Sequence, residues 1–373
     1  MKRLLLLAGC AWAAVQTSLA AATVTPLEGS PLTPATITLV GDTLHADATV
    51  LPLADIDWLE LEHPPAAREP APAPFGIWLT DGSWLPASAL AAADGDRVRV
   101  TTPFGTHDLP LTVIAGWGAT EPAAAPDGLD RVMVASGALD GRLRGLRDGK
   151  LSFATNLDPE PLALDLAEVQ GLRLAQPTVA ASGTSLLAVV DPQRPPLRLS
   201  STAKGLQLAA SGQPVSGIAG LRLRVDGGRR RWLSDLTPTA VEEKGAFNVV
   251  WPWQRDHDLD GGPLLLGGIR YAKGISVHSA ARLEWNLAGG FVRLRALLGI
   301  ADLVAPEGDC VVTLRGDGKD LWHRDRVRGG EPPLPLDLDV RGMQRLELQV
   351  DLGERYDIGD HLTLADAYLV TAR

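Results

Sequence analysis

The feature that most constrains this chain is two-residue alternation of apolar and polar side chains. Val292, Leu294, Ala296 and Leu298 alternate with Arg293, Arg295 and Leu297. Leu334, Leu336, Leu338 and Val340 alternate with Pro335, Asp337 and Asp339, and Leu346, Leu348, Val350 and Leu352 with Glu347, Gln349 and Asp351. Successive side chains on a strand point to opposite faces, so each run has one buried and one wet face. Helical periodicity is scarce. The expected fold class is therefore all-β, built of antiparallel sheet. The 39 glycines and 28 prolines among 373 residues follow no G-X-Y period and imply many turns between short strands.

The first residues read as an address. Met1-Lys2-Arg3 precedes the apolar run Leu4–Val15 and the small residues Ser18-Leu19-Ala20-Ala21-Ala22. This order is that of a secretory signal, assigned to residues 1–22 and implying a secreted, periplasmic or cell-envelope protein. Leu7-Ala8-Gly9-Cys10 also resembles a lipoprotein box, although an apolar segment ending at residue 9 is short, which favours an ordinary signal. No later stretch approaches ~18 uninterrupted apolar residues, so no transmembrane segment is expected. Past the signal, Cys310 is the one remaining cysteine, placed by Cys310-Val311-Val312-Thr313-Leu314 in a buried strand. The formal net charge of −10 repels a phosphate backbone and argues against nucleic acid as a partner.

Residues from about 24 to about 225 are internally repetitive. Gly41-Asp42-Thr43-Leu44 leads to Leu51-Pro52-Leu53 and Ile56-Asp57-Trp58. Gly95-Asp96-Arg97-Val98 leads to Leu109-Pro110-Leu111 and Ile114-Ala115-Gly116-Trp117, and Asp148-Gly149-Lys150-Leu151 to Leu162-Ala163-Leu164 and Val169-Gln170-Gly171-Leu172. A weaker fourth copy runs from Leu206 to Leu221. The offset suits one small β unit per copy. The expected layout is an array of small β-meanders or barrels, two in 23–118 with a Pro-rich linker at 64–74, and two in 127–238. Trp58, Trp78, Trp84 and Trp117 are expected to close their cores. Arg229-Arg230-Arg231 reads as a solvated strand edge. The repeats offer surface for envelope protein partners.

From about Thr239 the character changes. Trp251-Pro252-Trp253 is followed by Tyr271-Ala272-Lys273-Gly274-Ile275-Ser276-Val277-His278, then Gly299-Ile300-Ala301-Asp302, Asp317-Gly318-Lys319, and Asp360-His361 with Asp366-Ala367. In this order the set resembles the NPCBM family of carbohydrate-binding modules, which accompany glycoside hydrolases such as the family 98 enzymes and are close to carbohydrate-binding module family 51. Its Y-x-K-G-x-x-x-H core, G-x-x-D turn, D-G-K turn and D-H-x-x-x-x-D-A ending are all present, over roughly a third of the chain. Leu364 stands where a Trp is common, and Asp302 where the family often has paired acids. The resemblance implies a galactose-binding-like jelly-roll β-sandwich over 239–373 that binds a galactoside-like sugar.

A sugar offers a C–H face and a rim of hydroxyls, so a site needs an aromatic plane and fixed donors and acceptors. Tyr271, Trp251, Trp253 and Trp322 are candidate planes; Lys273, His278, Asp302, Asp360 and His361 are candidate rim partners. Trp251 and Trp253, two apart, would share a face on a strand. For His278 and His361, ligand contact and a buried loop-holding role stand as equal readings. Asp317-Gly318 reads as a tight turn and Trp285 as core. Asp256-His257-Asp258-Leu259-Asp260-Gly261 opens like a calcium loop, but Gly267 at the twelfth place rules out an EF-hand. Asp256, Asp258 and Asp260 are therefore candidates for a structural calcium, with a solvated acidic loop as the other reading.

No GxSxG, HExxH, GxGxxG or P-loop is present. A glycosidase needs two carboxyls roughly 5 to 10 Å apart, which sequence cannot exclude. The repeats and sandwich leave no stretch for a catalytic barrel of ~250 residues. The expectation is an exported, non-catalytic carbohydrate-binding protein. The alternative is an envelope structural or interaction protein whose sandwich no longer binds sugar, and a small glycoside hydrolase trails both.

Overall fold

The computed structural model describes residues 17–20, 22–61, 73–155, 158, 160–179, 183–245 and 249–373. Most of the expected signal segment, including Cys10, and residues 64–72 of the Pro-rich linker lie outside them. The fold is all-β. Among the described residues the helical elements are three-residue 3-10 turns. No helix there is long and apolar enough to cross a membrane.

The first three repeats form the same local structure, for a reason visible in their residues. A hairpin closes over a Gly or Asp held at positive φ, as at Gly41, Gly95, Asp148 and Gly149, where L side chains other than Asn and Asp rarely fit. The second hairpin strand runs into a 3-10 turn at Leu53–Asp55, Leu111–Val113 or Leu166–Glu168. In each turn the leading Leu is buried, at about 1.5–3 kcal/mol per fully buried side chain. A further strand follows at Ile56–Leu61, Ile114–Gly118 and Gly171–Arg173.

The four units do not stand apart. The first and fourth share a six-stranded sheet, in which Ile56–Leu61 pairs with Arg222–Asp226. The second and third share an eight-stranded one through Ile114–Gly118 and Gly171–Arg173. A single apolar cluster runs from Ala22 to Val225. Trp78, Trp84 and Trp117 are buried in this body, whereas Trp58 is half-buried beneath the guanidinium groups of Arg222 and Arg224 at 4.7 and 4.2 Å.

The C-terminal part is a two-layer sandwich. One sheet orders Gln254–Arg255, Gly274–Val277, Leu362–Thr371, Phe291–Ile300 and Leu334–Asp339, with Arg230–Trp232 also paired to Leu362–Thr371. The facing sheet orders Ala240–Glu243, Ala281–Asn286, Arg345–Leu352, Asp309–Gly316 and Lys319–Arg328. The inward residues of the alternating runs, among them Leu294, Leu298, Leu346, Leu348 and Val350, fill the core with Trp285 and Cys310. Asp317 and Gly318 both take positive φ and make the turn into Lys319–Arg328.

The arginine run is not a solvated edge. Arg230 is buried and ion-pairs with Asp57 of the first repeat. Arg229 bonds Asp55 at 3.0 Å and Glu28 at 2.5 Å; only Arg231 is exposed. Arg295 joins Asp57 at 2.8 Å, and Arg224 of the body pairs with Asp366 of the sandwich. Trp232, Tyr368 and Val370 pack on Leu27 beside these charges. The sandwich thus begins at Arg230, before residue 239, and is fastened to the body by buried ion pairs. The partners lie far upstream in sequence, so local pattern could not reveal them.

Candidate functional site

Two motifs distant in sequence meet at one end of a sheet because of strand register. Gly274–Val277 pairs antiparallel with Leu362–Thr371, with Gly274 opposite Ala365 and Val277 opposite Leu362. Continuing that register by one residue sets His278 against His361, and by two sets Ser279 against Asp360. The contacts follow: the Ser279 hydroxyl donates to Asp360 Oδ2 at 2.5 Å, and the two imidazole centroids lie 5.7 Å apart.

Asp360 is a clamp rather than a ligand. It is fully buried, and its other oxygen accepts the Asp309 amide at 2.8 Å. Burial pushes its carboxyl above the usual range, against the pull of those bonds. Ser279 and Asp309 complete this clamp, and sequence reading did not pick them out; the extended register is the signal that finds them.

His278 and His361 are both buried, but a third ring covers them. Trp251 stacks on His278 at 5.8 Å and 18°, and leans on His361 at 5.6 Å. Trp251 is 39% exposed. His278 Nδ1 lies 2.6 Å from the Ser279 carbonyl and donates to it, which leaves Nε2 as an acceptor in the neutral ring. His361 Nδ1 is buried without a hydrogen-bond partner among the described residues. Burial, then the neighbouring His278, holds the His361 imidazole below the usual histidine range. The result is an aromatic plate backed by two buried imidazoles. Chemically it can receive an apolar ring face and exchange hydrogen bonds at its edge.

The other expected residues lie elsewhere. Lys273 immediately precedes the opposite end of Gly274–Val277, and Tyr271 ends a separate strand, Ile269–Tyr271; five residues, about 16 Å, separate Lys273 from His278. Lys273 Nζ bridges Asp235 at 2.5 Å and Asp256 at 2.9 Å. Tyr271 is half-buried, and burial followed by the charge of Asp366 pushes its phenol up to about 12. Asp302 is a turn clamp: its two oxygens accept the amides of Gly267 and Gly268 at 2.8 and 2.7 Å. Trp251 and Trp253 do not share a face, because the segment is not a strand. Trp253 packs on the sandwich core beneath Arg255, and Trp322 packs there too.

The aspartates of the calcium-like loop do not converge. Asp256 is engaged by Lys273 and the Gly274 amide. Asp258 turns inward to accept the amides of Asp260 and Gly262 at 3.0 and 2.6 Å, and Asp260 is exposed. Among the described residues no group of three or more His, Cys, Asp or Glu could hold a metal ion. The alternating acids serve the turn itself, a use that sequence spacing does not distinguish from metal binding.

With this geometry in hand, comparison with known proteins is informative. Residues 229–370 match the family model of the NPCBM/NEW2 domain. Over 91 residues the chain is 30% identical to a protein of Renibacterium salmoninarum named "Putative endo-alpha-N-acetylgalactosaminidase". That match takes in 24% of this chain and 6% of the relative, so the chain spans a small fraction of its length. Among solved structures, CBM51 from a Clostridium perfringens GH95 protein in complex with methyl-galactose is similar at 21% identity and TM-score 0.35, over 38% of this chain and 99% of that one. The tandem CBM51 modules of a family 98 glycoside hydrolase from Streptococcus pneumoniae are similar at 15% identity and TM-score 0.34, over 86% and 98%. Residues 229–370 are an NPCBM domain.

Proposed function

We propose that this chain, with an NPCBM domain over residues 229–370, is an exported, non-catalytic carbohydrate-binding protein. The N-terminal body acts as its scaffold. The sugar, galactoside-like, lies with its C–H face on Trp251 and its hydroxyls toward the edges of His278 and His361. The observation that carries this reading is the partly exposed Trp251 ring stacked over two buried imidazoles. A buried His pair needs no exposed aromatic cover to hold a loop. A ligand site does.

The second reading, an envelope interaction protein that has lost its sugar, draws support from Lys273, Asp302 and Asp360, whose polar atoms are engaged within the protein. A glycan array probed with the full chain separates the two. Binding to galactosides that Trp251→Ala abolishes, with unfolding behaviour unchanged, supports sugar binding. A blank array with well-folded protein supports the interaction reading. Turnover of any bound glycan would contradict the non-catalytic part.

A further inference from the structure

A cleft of about 400 Å³ lies where the body meets the sandwich, away from the Trp251 cluster. Gly82, Pro195 and Pro196 of the body form one wall; His257, Arg270 and Tyr271 of the sandwich contribute to the other. Its size falls within the roughly 300–1,000 Å³ of small-molecule sites.

The walls are fixed against each other. The Arg270 amide donates to the Pro192 carbonyl at 2.7 Å, and the Gln193 side-chain amide reaches the Gly268 carbonyl. Arg194 lies over the rings of Trp78 and Trp84 at 5.9 and 5.7 Å, which seats the proline loop on the body. Asp302 holds the turn of the opposing hairpin, Leu264–Leu266 with Ile269–Tyr271.

Two of the polar groups in the cleft, on Arg270 and Tyr271, are donors. Neither the Arg270 guanidinium nor the Tyr271 hydroxyl makes a hydrogen bond or ion pair with the described residues, while the charges of Asp366 and Asp302 act on the Tyr271 phenol. His257 Nδ1 donates to the Arg255 carbonyl at 3.0 Å, which leaves Nε2 to accept from a ligand hydroxyl. The one carboxylate at the rim, Asp256, is already paired with Lys273. The Tyr271 phenol, pushed up to about 12 by burial, remains a donor at neutral pH. Such a set suits an anion with neighbouring hydroxyls, and a guanidinium fits a carboxylate in two parallel bonds. The chain's net charge of −10 supplies no general attraction for anions, so recognition has to be local.

We propose that this cleft is a second ligand site that receives the carboxylate of a sugar acid, with Arg270 as its charge partner, Tyr271 as a donor and His257 Nε2 as an acceptor for a neighbouring sugar hydroxyl. It does not rest on glycan binding at Trp251, and it needs both the body and the sandwich.

Titration calorimetry on the full chain tests it. Glucuronate and N-acetylneuraminate are the two carboxylate probes, with glucose and galactose as neutral controls. Saturable binding of one or both acids, one per chain, is expected, with the neutral sugars at least roughly tenfold weaker in this site. Arg270→Gln should weaken the acid by roughly tenfold or more. Ala272 lines the cleft and is exposed, so Ala272→Phe should fill the space and abolish binding without unfolding the protein. Absence of binding by both acids, equal binding of the neutral sugars, or full affinity in Arg270→Gln would each overturn the assignment. Glycan-array binding, scored in parallel, reports the Trp251 site separately.

Discussion

The Tyr368 hydroxyl donates a 2.6 Å hydrogen bond to Asp57, a residue 311 positions earlier, with both groups buried. Asp57 also takes Arg230 and Arg295, so one carboxylate of the first repeat ties down three side chains of the sandwich. Burial, then the Asp57 charge, pushes the Tyr368 phenol up to about 12. Tyr368→Phe should destabilise by about 1–3 kcal/mol, the cost of a lost buried bond to a charged acceptor. Asp57→Ala should cost more, about 3–5 kcal/mol, because it leaves buried guanidinium charge uncompensated. Denaturant unfolding checks both, and equal small losses would contradict the central place given to Asp57.

Asp226 sets an acid limb of stability. Burial works to raise its carboxyl, but Arg198 at 2.7 Å and the Trp232 indole at 3.0 Å outweigh it and hold the group below its usual range. A depressed carboxyl contributes stability above its ordinary pKa and loses it as pH falls through the lowered folded value. Asp226→Asn should therefore be less stable than the native protein at neutral pH, with the gap closing in acid. Unfolding curves across that range measure it; a constant gap would show that titration of Asp226 is not the source.

Removing the Asp302 carboxylate should loosen the hairpin at Leu264–Tyr271 more than the fold. Asp302→Ala strands the amides of Gly267 and Gly268, at a cost of about 1–2 kcal/mol. Hydrogen exchange should accelerate at those two amides while the core strand Leu362–Thr371 keeps its protection. Unchanged exchange at both glycines would refute the clamp.

Much of this molecule was legible in the sequence, unevenly. The alternating runs around Leu294, Leu336 and Leu348 gave the all-β class, because period-two burial is local information. The repeat motif likewise marked the recurring strands of the N-terminal body, while the 3-10 turns at Leu53, Leu111 and Leu166 were not read from it. Its sheet partners were not legible, since the first unit pairs with the fourth through Ile56–Leu61 and Arg222–Asp226. His278 and His361 were picked out, yet their meeting depends on the register of Val277 against Leu362. Asp302 and Asp360 looked like ligands because a carboxylate that caps a turn and one that meets a sugar carry the same letter. The role of Arg230 was hidden because Asp57 lies 173 residues upstream.

The most direct test of sugar binding at Trp251 is to follow the imidazole resonances of His278 and His361 by NMR while titrating a galactoside into the full chain. Both should shift and saturate along one binding curve, and Trp251→Ala should abolish the curve while the protein stays folded. Static imidazole signals under a saturating ligand, or an unaltered curve in Trp251→Ala, would contradict it.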